Sequence, residues 1–152
     1  MRYFPILVVI LFLSGCVPYD MQNAPDGLPT VSSYTEAALW VDLNITYQLD
    51  SEQYGIREYW ASPSEVLASR KGDCEDMAIL YIEICKYSFG EIGEIRVQLV
   101  DGLGHGYAVV NGHTFHKNPD GVDTGGIITY EDYMWHLGDQ DNYRGVDTTP
   151  MM

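Results

Sequence analysis

The chain reads as one α+β domain behind a short export and anchoring segment. Three observations lead there. Apolar residues at helical spacing, with capping signals, fill the first half as far as "SFGEIGE" at 88–94. Alternating strand-like runs and an Asn-Gly turn follow, and helices first with an antiparallel sheet after is the α+β layer pattern. A length of 152 residues with 46% hydrophobic composition is enough for a single modest core.

"MRYFPILVVILFLSGC" (1–16) has Arg2, an apolar run from Tyr3 to Leu13, then small residues before Cys16. That run is shorter than the about 20 apolar residues a membrane-spanning helix needs. A charged start, short apolar centre and small-residue exit fit an export signal. A buried N-terminal strand or a plain secretory signal is the alternative. "VPYDMQNAPDGLPTVSS" (17–33) carries three prolines and little periodicity, as a stiff tether would.

Ser33 and Glu36 then stand at capping-box spacing, and Tyr34, Ala37, Ala38, Val41 and Ile45 form one helical face. In "SPSEVLASR" (62–70), Pro63 and Glu65 mark a short helix, with Gly72 as its expected terminator. Asp73 caps the next helix, with Asp76 three residues on. Met77, Ile79, Leu80, Ile82, Ile84 and Cys85 leave that helix little polar surface, so it should be central and buried. "IRVQLVD" alternates, and "HGYAVVN" and "HTFHKN" are two short strands joined at Asn111-Gly112. "GIITYEDYMWHLGDQDNYRGVD" suggests a strand end, a short helix near 130–137 and an acidic tail.

Charge excludes some functions. Eight basic residues against 22 acidic give a formal net charge of -14. Nucleic-acid binding needs a basic stripe, and docking on anionic lipid through charge needs a basic patch; neither is present. Solubility accounts for the acidity, with attraction of a basic substrate as the alternative.

Candidate chemistry centres on Cys74, in the first turn of the expected central helix. Unpaired N–H groups there favour a thiolate by roughly 0.3–1 kcal/mol, or ~2 when partly buried. Asp73, Glu75 and Asp76 push the opposite way. One carboxylate 6 Å off costs about 3 kcal/mol at an effective dielectric of 20. A reactive Cys74 therefore needs a cationic neighbour, and imidazolium is the usual one. His105, flanked by Gly104 and Gly106 at the head of a strand, is the best candidate. Asn118, in "FHKNP", could orient the ring, with Asp120 and Asp123 as rivals. Cys85 reads as a small core residue. On one helix the two cysteines stand about 16 Å apart, too far for the roughly 7 Å of a disulfide.

Two resemblances follow from these residues. "LSGC" resembles the lipobox of bacterial lipoproteins, in which cleavage leaves the cysteine lipid-modified. It implies a signal peptide over 1–15, a lipidated tether over 16–32 from Cys16, and a domain over 33–148. The protein would then sit in the cell envelope, lipid-anchored on the extracytoplasmic side of a bacterial membrane. "YWASPSEVLASRKGDCEDMAILY", preceded by "NITYQLD", resembles the transglutaminase-like superfamily, particularly its bacterial cysteine-peptidase branch. The similarity covers about residues 33–120 and maps the family's catalytic positions to Cys74, His105 and Asn118, 31 and 13 residues apart.

The resemblance implies a papain-like fold, with the cysteine helix packed on an antiparallel sheet that carries the histidine. It implies acyl transfer on a protein or peptide substrate: hydrolysis, or transfer of the thioester to an amine. The oxyanion would face the Cys74 N–H and one further donor, Trp60 or Tyr47. Many relatives have aspartate where Asn118 stands, and asparagine carries no charge to stabilise imidazolium. No cofactor is required. In some relatives acids flanking the cysteine bind calcium, which here would be Asp73 and Glu75. Zinc through Cys74, His113 and His116 is a further alternative, at no known ligand spacing. A non-catalytic binding lipoprotein of the same fold also remains open.

Overall fold

The computed structural model describes residues 24–116 and 121–129. The signal-peptide run, Cys16, Asn118, Asp120 and the helix expected near 130–137 lie outside the described residues. Mixed helix and sheet are present, in the α+β arrangement of helices followed by an antiparallel sheet. Among the described residues no helix is long and apolar enough to cross a membrane.

Helix α1 (Tyr34–Asn44) begins where the capping signal places it, and Ser33 Oγ accepts the Glu36 N–H at 3.2 Å. The return limb differs from a capping box, because the Glu36 carboxylate takes the N–H and hydroxyl of Ser32 instead. Ala37 and Val41 turn inward, followed by Ile45 just past the helix. Leu28 and Val31, from the proline-bearing stretch, also reach the core, and the Val31 N–H bonds Ser88 Oγ.

Strand β1 (Thr46–Tyr47) and the one-turn helix α2 (Asp50–Gln53) follow. Helix α3 (Pro63–Ser69) has a complete capping box between Ser62 and Glu65 and proline in its first turn. It ends at Arg70, whose φ of 58° is left-handed, rather than at Gly72. Gly72 lies instead in β2 (Lys71–Gly72), which pairs parallel with β1. A Cβ on Gly72 would stand 2.8 Å from the Asp76 Cβ, so close approach is what demands glycine there.

Helix α4 (Cys74–Phe89) is the centre of the molecule, and every residue from Glu75 to Lys86 is buried. A helix apolar nearly all round must be enclosed, and α1 and α3 pack on it together with the sheet. That sheet contains β3 (Glu94–Val100), β4 (Leu103–Val110), β5 (His113–Phe115) and β6 (Val122–Ile128). Its order is β5-β4-β3-β6, antiparallel throughout. Asn111-Gly112 joins β4 to β5 with φ of 47° and 78°, the left-handed pair of a two-residue hairpin. Asp101-Gly102 joins β3 to β4 in the same way, with φ of 52° and 80°.

Strand alternation divides the sheet into two unlike faces. Ile95, Ala108, Val110 and Phe115 are buried in the core with α4, and Phe115 stacks on Tyr81 of that helix. Gly106 belongs to the same face, since a Cβ on it would meet Glu75 and Ile95. The intervening residues, including Gln98, His105 and Tyr107, therefore project from the other face.

Candidate active site

Cys74 opens α4, and the chain before it is tied down twice. The Gln48 N–H bonds the Gly72 carbonyl at 3.0 Å, extending the β1–β2 ladder to the helix entrance. The Asp76 carboxylate then accepts the N–H of Asp73, the N-cap residue, at 3.4 Å, and that of Ala61 at 2.7 Å. Asp76 thus anchors the stretch before α3 to the start of α4.

The Cys74 side chain, partly exposed, donates its sulfhydryl to Glu75 Oε2 at 3.0 Å. Burial and the Asp73 carboxylate push the thiol up to about 11, opposed in part by its hydrogen bond with Glu75 and by the Gly106 N–H. This amide belongs to β4, so the strand carrying His105 passes directly over the sulfur.

The imidazole itself is placed differently. His105 is buried opposite Gln98, on the face away from α4, and its Nε2 has no hydrogen-bond partner among the described residues. Burial, and secondarily His116, hold it below the ordinary histidine range. No hydrogen bond joins Cys74 to His105, and thiol raised with imidazole lowered favours the neutral pair over thiolate–imidazolium.

The proposed orienters divide. Asn118 and Asp120 are outside the described residues. Asp123 Oδ2 accepts the Tyr107 hydroxyl at 3.2 Å, and Tyr107 stacks on His116 with ring centroids 4.0 Å apart. Of the two oxyanion candidates, Tyr47 is the one beside the cysteine. Burial first, then charge on Cys74, Asp73, Glu75 and Asp50, pushes its hydroxyl upward. Trp60 is buried and its indole N–H donates to Glu58 at 3.3 Å.

Around the thiol lies an unusual store of acid. Asp50, Asp73, Glu75 and Asp76 are all buried. Burial raises each: Asp50 to about 7, Asp73 to about 6, Asp76 to about 8, and Glu75 well above the carboxylate range. Charge on Asp73 raises Glu75 further. Two sets have the proximity to hold a cation: Asp73 with Cys74 and Glu75, and Asp50 with Asp73 and Asp76. Neither includes a histidine. His113 stacks on Tyr34 at 3.9 Å, near the hairpin, and the zinc set of Cys74, His113 and His116 is not among the metal-capable groups of the described residues.

Sequence reasoning missed Asp50 and Glu58. Asp50 joins the cluster only because α2 folds back on the α4 entrance, and its partners are far along the chain. Glu58 is exposed, yet its charge raises Cys74, Asp73, Glu75 and Asp50. No protein-family model matches the chain, and no curated protein matches it in sequence.

Proposed function

We propose that the protein is a thiol-dependent hydrolase or peptidase of the cell envelope, working by acyl transfer through Cys74 and His105, with Asn118 orienting the ring. The observation that carries this reading is the junction of α4 and β4. Cys74 is the first residue of a buried helix, its sulfur meets the Gly106 N–H, and His105 precedes that glycine with Nε2 unpartnered among the described residues. An unpartnered buried nitrogen costs about 1–3 kcal/mol, which a proton-accepting role would explain. A helix starting at a cysteine and packed on an antiparallel sheet also supports the papain-like, transglutaminase-core description of the fold.

The neutral resting pair calls for general-base chemistry on this reading. For that, the His105 side chain must turn from the far face of the sheet toward the sulfur; the sulfhydryl then leaves Glu75 and gives its proton to the imidazole as sulfur bonds the carbonyl carbon of a protein or peptide substrate. The imidazolium protonates the departing nitrogen, leaving a thioester for water, or for an amine in a transglutaminase-type reaction. The helix-start N–H and the Tyr47 hydroxyl are the donors for the oxyanion. Neither requires a cofactor. Lipid on Cys16 would hold the enzyme at the membrane, and Cys16→Ser should release it into the soluble fraction.

A non-catalytic binding role is the second reading, favoured by the Glu75-bound thiol raised to about 11. A peptide library incubated with the protein and with dansylcadaverine separates the possibilities. New termini lost in Cys74→Ser identify a hydrolase, and amine incorporation lost in Cys74→Ser identifies a transferase. Neither product above the Cys74→Ser level overturns the catalytic reading.

A further inference from the structure

We propose that Glu58, at the surface beside Cys74, selects a peptide or protein substrate that carries lysine or arginine next to the bond the thiol attacks. The position of that bond rests on the acyl-transfer reading above; recognition of the cationic side chain does not.

A succession of contacts brings Glu58 to the thiol. The Tyr59 N–H bonds Asp50, a carboxylate oxygen of Asp50 lies within 4.8 Å of one from Asp73, and one from Asp73 lies within 4.8 Å of the Cys74 sulfur. Glu58 precedes Tyr59 and is exposed, whereas Asp50, Asp73 and Glu75 are buried. The Trp60 indole N–H holds Glu58 Oε1 at 3.3 Å, and Oε2 makes no hydrogen bond among the described residues. Its charge reaches the thiol and all three buried acids.

Behind this carboxylate are three buried acceptors without a partner: Asp50 Oδ1, Asp73 Oδ1 and Glu75 Oε1. Buried acceptors are normally given a donor, and an ammonium or guanidinium group brings several N–H donors together with its charge. The protein supplies no such group here. Arg57 and Lys71 are exposed neighbours along the chain, yet the ion pairs of the described residues are Glu83–Lys86 and Glu94–Arg96. A rim carboxylate with no internal counter-charge draws in a cationic side chain and repels an anionic one, an effect that salt weakens.

A random heptapeptide library passed over immobilised Cys74→Ser protein, with the retained peptides identified by mass spectrometry, is the test. Lysine and arginine should be enriched about tenfold over glutamate, and the enrichment should mostly vanish in ~1 M salt. Glu58→Lys should remove most of it. Asp26→Lys makes the same change in net charge and should leave it intact, since that segment packs through Val31 on Ser88 near the other end of α4. Should Glu58→Lys fail to fold, Glu58→Gln decides, with the enrichment cut by about threefold. In the protein with Cys74 intact, cleavage should fall beside lysine or arginine. Enrichment without any cleavage would refute the acyl-transfer reading and leave the recognition standing. The proposal is overturned by no enrichment, by enrichment undiminished in the Glu58 variants, by equal loss in Glu58→Lys and Asp26→Lys, or by cleavage indifferent to neighbouring charge.

Discussion

Raising the pH from about 6.5 to 8.5 in chelator-treated buffer should destabilise this protein, contrary to the usual direction for an acid-rich chain. The cause is the buried acid beneath α4. Asp76 is raised from 3.8 to about 8 and Asp50 from 3.8 to about 7, chiefly by burial. In this window the unfolded chain has already lost these protons, while the folded state still holds them. More protons on the folded side means that stability falls as pH rises. Linkage over two units gives about 2 kcal/mol from Asp76 and a little under 1 kcal/mol from Asp50, and their mutual repulsion makes the sum non-additive. His105 and His116, both lowered by burial, have the opposite slope and offset part of the fall, since an unfolded histidine still holds about half a proton at the start of the window. About 2 kcal/mol corresponds to a fall of roughly 10 °C in melting temperature for a domain of this size. Scanning calorimetry reads it directly. Asp76→Asn should flatten the slope in part, keeping one oxygen to accept a backbone N–H, because Glu75, also raised by burial, acts in the same direction. A melting temperature that stays level or rises across the window would mean that the carboxylates are ionised and compensated, and would refute the reasoning.

Other consequences can be checked separately. Gly72→Ala should cost about 1–3 kcal/mol in urea unfolding, because its Cβ would meet the Asp76 Cβ at 2.8 Å; an unchanged midpoint would show that the β2–α4 junction yields freely. Tyr47→Phe should slow acyl transfer by about tenfold or more while leaving alkylation of Cys74 unchanged. If both rates stay the same, the hydroxyl is no oxyanion donor. Alkylation of Cys74 by iodoacetamide should be roughly a hundredfold slower than that of a free cysteine at pH 7, and should climb about tenfold per pH unit toward pH 10. A rate that is high and flat down to about pH 6 would instead reveal a thiolate–imidazolium pair.

Local signals in the sequence were sufficient for much of the fold. Ser33, Pro63 with Glu65, and Asp73 each mark a helix start where the structure has one, since these signals act within one turn. The apolar run from Met77 to Cys85 marks the central helix because no face of it is left for water. Asn111-Gly112 specifies its hairpin through two left-handed residues. Termination was less legible: Arg70 ends α3 in a left-handed conformation that glycine would normally supply, leaving Gly72 for a contact with Asp76 visible only in three dimensions. Strand β6 was read as a mere strand end, since "VDTGG" has little β propensity and gains its place by pairing with β3. At the site, the helix-start cysteine and the glycine-flanked histidine could be picked out individually. What could not be read was strand facing. A period of two puts Gly106 toward the thiol and His105 on the opposite face, and a shift of one residue would exchange them. Asp50 was invisible for a related reason, because its partners meet it only through tertiary folding.

The most direct test of Cys74 as a nucleophile served by His105 is trapping of an acyl-enzyme with p-nitrophenyl acetate. Sulfur would bond the acetyl carbon, p-nitrophenolate would leave, and the thiol proton would pass to His105. Acid quenching followed by mass spectrometry of the Cys74 peptide should find acetyl thioester that accumulates with a p-nitrophenolate burst and then declines as water attacks it. His105→Ala should slow its formation by about a hundredfold or more, within the range of general-base catalysis, and Cys74→Ser should abolish the thioester. No acetyl on Cys74, or acetylation as fast in His105→Ala as in the parent, would contradict the account.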